Sequence, residues 1–304
     1  MKMKASAITA AALLALTAQT VSAAEAVGYN VVTVPANSDV LVSVPFNQNT
    51  EGSFTVSSVT ADGVTVTNGL TANAYTNGYY VRFTSGGGEG LWSTISANGT
   101  GGFTMANTNV LTYVSNGDAF RVYKHHTVGS VFPSGMYGVS YTNGVAISVF
   151  NNTATGIYKS PSATVTYSVP LKRWSNLNQV INPDSMFLIR NGSAVTLTWV
   201  NNGDVPDYNV ALLVPAGVAK DTLIGSGFPV DTTVEAVSAA AGRSVSTYNN
   251  AATGIYKSPT ATVTYSAPLH RWSNLGQAVA SSEGLLLRTS ASEAGGKITI
   301  QKPY

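Results

Sequence analysis

Short apolar runs that alternate with hydroxyl and amide residues recur along most of the chain. Runs of β-branched and aromatic residues follow Asn-Gly, Asp-Gly or Gly-Gly dipeptides at residues 64–67, 79–83, 103–106 and 119–123. These dipeptides favour the positive φ angles of tight hairpins, and period-two alternation is typical of strands with one buried face. The pattern therefore predicts an all-β fold built of tandem antiparallel β-sandwich or small-barrel modules.

One 27-residue segment occurs twice in the chain. Residues 151–177 read NNTATGIYKSPSATVTYSVPLKRWSNL and residues 249–275 read NNAATGIYKSPTATVTYSAPLHRWSNL, with 23 of 27 positions identical. Its ATVTY stretch alternates between an apolar and a hydroxyl face, which predicts a half-buried strand. The same offset of 98 relates the apolar runs ending in Arg at 186–190 and 284–288. A period this long favours a tandem domain duplication over a solenoid.

Two further similarities set the predicted boundaries. GSVFP at 129–133 resembles GSGFP at 225–229, which is interpreted as the start of the duplicated unit. YNVVTVPA at 29–36 resembles YNVALLVPA at 208–216, which suggests a shared opening strand, with chance similarity between β-rich segments as the alternative. The predicted organisation is a signal peptide at 1–23, an N-terminal β domain at 24–132, and two copies of a β module at 133–215 and 216–304.

The first residues are typical of a secretory signal peptide. Lys2 and Lys4 precede an uncharged apolar stretch, which ends in the small-residue triplet VSA at 21–23. We expect cleavage after this triplet, with Ala24 and Ala26 as alternative positions. The apolar run is short for a membrane span, so we expect no integral span after cleavage. The protein is predicted to be exported, to the periplasm, the cell surface or the extracellular space.

Composition and charge limit the kinds of partner that the protein is expected to bind. The chain has 16 Lys and Arg against 14 Asp and Glu, and loss of Lys2 and Lys4 would leave it formally neutral. A neutral protein lacks the field that holds nucleic acid, so no nucleic-acid partner is expected. The chain has no cysteine, which excludes disulfides and thiol chemistry. Self-association or surface glycans are the partners that we expect.

The repeated segments carry the candidate binding residues, which are Tyr158, Arg173, Trp174, Tyr256, Arg271 and Trp272. An exposed Trp beside a cation and a Tyr could form a platform for sugar rings. The alternative is that each Trp plugs the core of its module with the Arg packed over the ring. Because a buried Trp often anchors small sandwiches, the second interpretation is favoured.

Motifs for catalysis are absent from the sequence. It contains no G-x-S-x-G nucleophile elbow and no H-E-x-x-H zinc motif. His125 and His126 would lie on opposite faces of a strand, so they cannot easily bind one metal together. The glycine-rich residues 85–90 lack the GK[ST] ending of a phosphate loop and predict a hairpin. No catalytic residue is assigned.

A group of oxygen ligands offers a weak calcium candidate. Asn201, Asp204 and Asp207 cluster in the sequence, but without the D-x-[DN]-x-[DN]-G register of a known calcium loop. A solvated turn is therefore the favoured interpretation. We expect no metal and no cofactor.

Several stretches resemble an uncharacterised family of exported bacterial proteins. The Trp-containing turn followed by an apolar strand ending in Arg is similar to the C-terminal module of that family. VGYNVVTVPANSDVLVSVPF, YYVRFTSGGGEGLWSTISANG and GDAFRVYKHHTVGSVFP in the N-terminal half resemble the same family. The resemblance implies an exported, β-rich envelope protein, and it implies no activity.

Three functional hypotheses follow. The leading one is a non-enzymatic cell-envelope or surface protein with a structural or adhesive role. The first alternative is a carbohydrate-binding protein that uses the repeated Trp and Tyr residues. The second is a secreted hydrolase whose residues, for example His125 and a carboxylate, come together only in the fold. Burial of both Trp174 and Trp272 would remove the sugar platform.

Overall fold

The chain folds entirely into short antiparallel strands with a few single helical turns. The computed structural model describes residues 26–67, 69–133, 144–168, 170–237 and 242–304, and the all-β prediction is confirmed. The predicted signal peptide at 1–23 lies outside the described residues. Within the described part of the chain, no helix is long and apolar enough to cross a membrane.

Two strands precede a closed six-stranded barrel. The first two are β1 (Val27–Val34) and β2 (Ser38–Val42). The barrel strands are β3 (Thr50–Val59), β4 (Gly63–Val66), β5 (Tyr79–Phe83), β6 (Trp92–Asn98), β7 (Gly102–Met105) and β8 (Ala119–Lys124). They close in the order β3-β4-β7-β6-β5-β8, and a 3₁₀ helix (Thr108–Tyr113) lies between β7 and β8. All four strands predicted after glycine turns belong to this barrel.

Module A is the body formed by β1, β2 and the strands that follow the barrel. These are β9 (His126–Thr127), β10 (Val145–Val149), β11 (Ala163–Ser168), β12 (Arg173–Trp174), β13 (Val180–Ile181), β14 (Phe187–Asn191) and β15 (Leu197–Asp204). The main sheet has the order β12-β11-β10-β14-β2, while β1 pairs with β15 and β9 with β13. A four-residue helix, α1 (Val128–Val131), follows β9.

Module B repeats this arrangement in one continuous stretch. Its strands are β16 (Val210–Val214), β17 (Lys220–Gly225), β18 (Thr232–Thr233), β19 (Ser244–Thr247), β20 (Ala261–Ser266), β21 (Arg271–Trp272), β22 (Ala278–Val279), β23 (Gly284–Thr289) and β24 (Gly296–Ile300), with a 3₁₀ helix at Val234–Ala236. The main sheet has the order β17-β23-β19-β20-β21, β16 pairs with β24, and β18 pairs with β22. Every pairing has its counterpart in module A.

The barrel is inserted in module A between β2 and β9. In module B a few residues connect the equivalent strands, β17 and β18. Asp39 and Asp221 pair with equivalent arginines and are 182 residues apart. Thr127 and Thr233, in β9 and β18, pair with equivalent residues and are only 106 apart. The difference between 182 and 106 means that module A carries 76 extra residues here, and the barrel accounts for them.

Strand pairing crosses the predicted boundaries. β1 and β2 fall within the predicted N-terminal domain at 24–132, but they pair with β15 and β14 of the unit at 133–215. β16 falls within that same unit, but it pairs with β24 of the unit at 216–304. The two YNV segments therefore open equivalent modules, with β1 and β16 each lying against the last strand of its own module.

The GSVFP and GSGFP segments are not structurally equivalent. GSGFP at 225–229 follows β17 directly, so its counterpart in module A is 43–47 after β2. GSVFP at 129–133 lies in and after α1. The match at an offset of 96 was wrong because a shared glycine and phenylalanine do not fix a position in a sheet.

Candidate functional site

A cavity of about 370 Å³ lies between modules A and B, and two of the predicted binding residues, Tyr158 and Tyr256, line it. Five equivalent pairs, one residue from each module, contribute to its lining: Asp39 and Asp221, Leu41 and Leu223, Leu188 and Leu286, Tyr158 and Tyr256, and Lys159 and Lys257. Residues 151–177 and 249–275 contribute the tyrosines and lysines, so the duplicated segments meet here.

A buried carboxylate of module B is bound from both modules. Asp221 in β17 is fully buried, and Arg288 in β23 donates to its two oxygens at 2.6 and 2.9 Å. The backbone N–H of Tyr158, which belongs to module A, donates to Asp221 Oδ2 at 2.8 Å. The Tyr158 ring also covers the Arg288 guanidinium, 4.7 Å from its centroid. We call this group a Tyr–Arg–Asp stack.

The reciprocal stack has the same geometry in the other direction. Arg190 in β14 donates to both oxygens of the buried Asp39 in β2 at 2.8 Å. Tyr256 of module B donates its backbone N–H to Asp39 Oδ2 at 2.7 Å, and its ring lies 4.4 Å from the Arg190 guanidinium. Each module therefore completes the ion pair of the other.

The charges of these stacks are neutralised within the protein. The hydrogen bonds from Asp39 and Asp221 raise the pKa of Arg190 and Arg288 above the ordinary arginine value. Planar bidentate pairs of this kind satisfy both partners, and a buried carboxylate is tolerated when it is paired in this way. Each stack is consequently formally neutral. Both arginines lie within their strands, β14 and β23.

Two asparagines of the repeated segments bind the partner module like an extra strand. Asn152 donates to the Leu223 C=O at 2.7 Å and accepts from the Leu223 N–H at 2.9 Å. Asn250 does the same to Leu41, at 2.8 and 2.9 Å. Each amide thus covers the outer edge of β17 or β2, the kind of edge that would otherwise present unpaired backbone groups.

The loops that carry the tyrosines are conformationally strained. Tyr158 and Tyr256 have φ angles of 58° and 55°. A bulky residue in the left-handed region costs about 1 kcal/mol or more, so surrounding contacts must hold it there. Lys159 and Lys257 help by donating to loop carbonyls. Burial lowers the pKa of Lys159 to about 8, and it also lowers that of Lys257.

The floor of the cavity is a small apolar core shared by the modules. Leu41, Met186, Leu223 and Tyr248 form one buried cluster. Gly284 holds the position in module B that is equivalent to Met186, and a Cβ on Gly284 would collide with the Met186 side chain. One methionine and one glycine therefore share the space between the modules, where two methionines would not fit.

Both tryptophans of the repeated segments are buried, which corrects the sugar-platform interpretation. Trp174 and Trp272 are each 3% exposed and pack edge-to-face against the tyrosine of the adjacent strand, β11 or β20. Arg173 and Arg271 are exposed on hairpins at the module tips. The cation–ring stacks that the structure shows involve other residues: Tyr158 with Arg288 of β23, and Tyr256 with Arg190 of β14.

Two of the three calcium candidates lie in a strand rather than in a solvated turn. Asn201 and Asp204 belong to β15, opposite Asn30 and Val27 of β1, and both are buried. Asp207 is exposed and forms a bidentate ion pair with Arg121 at 2.8 and 2.9 Å. Among the residues that the structure describes, no group of three His, Cys, Asp or Glu is placed to hold a metal ion.

The adjacent histidines are buried at the junction of the barrel and module A. His125 Nε2 lies 3.0 Å from Thr94 Oγ1, and burial lowers the pKa of His125 to about 4. His126 Nε2 lies 3.0 Å from the Phe46 C=O, and burial lowers its pKa as well. Both rings are therefore neutral at pH 7.

A larger cleft of about 680 Å³ lies where the barrel meets both modules. Trp92 and Tyr113 of the barrel line it together with amide and hydroxyl side chains, among them Asn107, Asn109 and Asn182. Trp92 is half-buried, so part of its ring faces the cleft. The glycine-rich residues 85–90 form a turn after β5, as predicted, and Gly90 contacts β16.

The sequence interpretation missed the residues that receive the repeated loops. Asp39 and Asp221 each stand at the second position of a strand that continues into apolar residues, and a buried carboxylate needs a partner. Asn152 and Asn250 stand in Asn-Asn dipeptides, which are typical of turns and do not indicate a contact between modules. No family model, curated protein or solved structure matches the chain.

Proposed function

We propose that this chain is an exported, non-enzymatic protein of the cell envelope or surface with a structural or adhesive role. The observation that carries the proposal is the use made of the duplicated segments. Asn152, Asn250, the two lysines and the backbone N–H groups of the two tyrosines are hydrogen-bonded within the molecule, and the arginine–carboxylate pairs beneath them are neutralised. These segments join two modules into one unit, as a structural element does.

Two sequence features support the same proposal. The leader predicts export, and the hydroxyl-rich, cysteine-free composition suits an exported β-protein. The resemblance to exported envelope proteins adds to this. We do not propose the hydrolase alternative, because His125 Nε2 lies against Thr94 Oγ1 and, among the described residues, its buried Nδ1 has no carboxylate or other hydrogen-bond partner.

Fractionation of the native host tests this proposal. The chain with a C-terminal tag is followed through cytoplasm, periplasm, envelope and medium, and its N-terminus is read by mass spectrometry. A structural or adhesive role predicts recovery in the envelope or surface fraction as large assemblies, with the leader removed. Recovery as a soluble periplasmic monomer would contradict it.

A second candidate is carbohydrate binding in the cleft at the barrel. The observation that favours it is the pairing of a half-exposed aromatic, Trp92, with surrounding amide groups, since aromatic faces pack on sugar rings and amides bind their hydroxyls. In this form of the carbohydrate-binding hypothesis, Trp92 takes the role that was predicted for Trp174 and Trp272.

Intrinsic fluorescence tests the cleft directly. The chain has four tryptophans, and Trp174, Trp199 and Trp272 are buried. A saturable fluorescence change on titration with N-acetylglucosamine oligomers should therefore come from Trp92 and disappear in Trp92→Phe. Asn107→Ala should weaken binding, while Leu171→Ala on a distant hairpin should not. An unchanged signal at millimolar oligomer would exclude this candidate for that glycan.

A further inference from the structure

The opening strands of the two modules have equivalent positions but different surroundings. β1 and β16 both end in Val-Pro-Ala, and both pair with the last strand of their module. Counting back from the shared proline, Val31 of β1 corresponds to Ala211 of β16. Any difference between these two residues reflects what lies against each module.

In module B the barrel covers this strand. Ala211 is 1% exposed and, with Leu213, joins the apolar cluster of the barrel. The Ala211 N–H donates to the Gly90 C=O at 3.2 Å, so the barrel also takes up the outer edge of β16. Gly90 has a φ of +83°, and a Cβ there would collide with the strand. The strand thus receives both an apolar cover and a backbone partner.

In module A the same face is open. Val27, Tyr29 and Val31 are 73%, 74% and 51% exposed, which makes a row of large apolar side chains along one face of β1. No other strand of the described chain pairs with β1 besides β15. The side chain of Asn30, between Tyr29 and Val31, reaches module B and donates to Ser281 and Ser282 at 2.8 Å.

The outer edge of β1 also has unpaired backbone groups. The Val205 N–H donates to the Ala26 C=O, so even-numbered residues of β1 direct their backbone groups towards β15. Odd-numbered residues direct theirs outwards. The Val31 N–H accordingly has only its neighbour, the Asn30 side-chain oxygen, at 2.7 Å. This local bond is one that a partner strand could replace.

β1 lacks the features that keep exposed edges from associating. Natural edge strands are protected by charge, proline, bulges or short length. Residues 27–34 read VGYNVVTV, eight residues with no charge and no proline, in unbroken register with β15. The neighbouring residues 197–203 of β15 are also uncharged.

We propose that a second copy of this chain docks on β1, with the two β1 strands antiparallel about a two-fold axis. An uncharged apolar strand meets an identical one without repulsion, and a two-fold contact is self-complementary. With the axis at Asn30, Tyr29 of one copy lies opposite Val31 of the other, an aromatic and β-branched pair. Two two-stranded ribbons then become one four-stranded sheet, which is the more stable unit.

This inference deepens the structural role proposed above and names its partner. The surface is a single strand face, smaller than the roughly 800 Å² per partner of standard interfaces. Association is therefore weak and grows with concentration, as suits a protein held at high density on a surface. Chain segments preceding β1 and unrelated strands are the other occupants, and the experiments distinguish them.

Sedimentation of the exported protein over a concentration series from 1 μM to 1 mM is the first test. Wild type should shift from monomer to dimer. Tyr29→Lys/Val31→Lys should remain monomeric at every concentration with an unchanged circular dichroism spectrum. Leu171→Lys/Leu269→Lys adds the same charge at equally exposed apolar positions and should dimerise like wild type. A monomeric wild type, or equal loss in the control, would overturn the proposal.

Cysteine cross-linking tests the register, because the chain has no native cysteine. An equimolar mixture of Tyr29→Cys and Val31→Cys proteins should form disulfide dimers on mild oxidation, mainly between unlike variants. Leu171→Cys mixed with Leu269→Cys should form at least tenfold fewer. Cross-linking no faster than this control would refute the β1 pairing, including the case in which a preceding segment or an unrelated protein covers the strand.

The two proposals can fail separately. A chain that is recovered in surface assemblies but sediments as a monomer keeps the structural function and loses the β1 contact. A chain that dimerises through β1 but is recovered as a soluble periplasmic protein keeps the contact and loses the surface role.

Discussion

Module A and module B share one strand plan, yet they relate to the barrel in opposite ways. The barrel is inserted into the sequence of module A between β2 and β9, and the opening strand β1 of this module remains exposed. Module B is continuous, and its opening strand β16 is covered by the barrel. The barrel is therefore an insertion in one copy and a packing partner of the other.

The comparison gives a physical reason for the identity of the first parts of the repeated segments, at residues 151–161 and 249–259. Each of these segments must fit the β2 or β17 surface of the other module, and both surfaces present an Asp and a strand edge. A reciprocal contact requires both copies to keep the same residues. The opening strands face different partners, so β1 and β16 have diverged.

Breaking the buried ion pair that joins the barrel to module A, beside the Tyr208 ring that precedes β16, should have the largest effect. Arg82 of the barrel is fully buried, donates to Asp184 and to the Gly90 C=O at 2.6 Å, and lies 5.6 Å from the Tyr208 ring. Arg82→Met leaves a half-buried carboxylate unpaired and should lower the free energy of unfolding by about 3–5 kcal/mol. Chemical denaturation measures this loss.

The exposed pair Arg121–Asp207 is the matched control for Arg82. Arg121→Met should cost at most about 1 kcal/mol, since exposed ion pairs contribute little. Hydrogen exchange should also rise at β16 in Arg82→Met and stay unchanged at β2. Equal losses in the two variants would show that the buried Arg82–Asp184 pair holds the barrel no more strongly than an exposed ion pair does.

Removing the asparagines should weaken both modules equally, since the two contacts are reciprocal. Asn152→Ala leaves the Leu223 backbone unpaired and should cost about 1–3 kcal/mol, and Asn250→Ala should cost the same through Leu41. The double variant should lose less than the sum, because both residues hold one interface. Strict additivity would indicate two independent contacts.

Replacing the buried tryptophans should have a smaller effect on stability, and the effect should differ between the two modules. Trp174 Nε1–H donates to the Phe132 C=O at 3.2 Å, whereas Trp272 Nε1 is buried and has no hydrogen-bond partner among the residues that the structure describes. Replacement by Phe removes a bond in module A and a buried unsatisfied donor in module B. Trp174→Phe should therefore cost about 1–2 kcal/mol more than Trp272→Phe in thermal or chemical unfolding. The reverse order would show that ring packing alone decides the cost.

Local patterns predicted the strands well and long-range pairing poorly. The ATVTY alternation is confirmed at β11 and β20, where Val165 and Val263 are buried. The role of the repeated tyrosines was not visible, because the partner of Tyr256, Asp39, is 217 residues away and the partner of Tyr158, Asp221, is 63 residues away, each in the other module. The insertion of the barrel into module A was not predicted for a similar reason. The hydrophobic period of a segment indicates that the segment is a strand, but it does not indicate with which other strand that strand pairs.

The smallest expected effect is that of acid, which should destabilise the structure around β9 of module A and leave the equivalent β18 of module B unaffected. His126 of module A has Thr232 as its counterpart in module B, so only module A has the buried histidine pair. The pKa of His125 is about 4 in the fold against an unfolded value near 6.5. Between these values the unfolded chain binds more protons, so stability falls as pH falls from about 6.5 to 4. Hydrogen exchange over this window should increase at β9 and not at β18, and His125→Gln should flatten the pH dependence. A variant with the wild-type slope would assign the acid sensitivity to other groups.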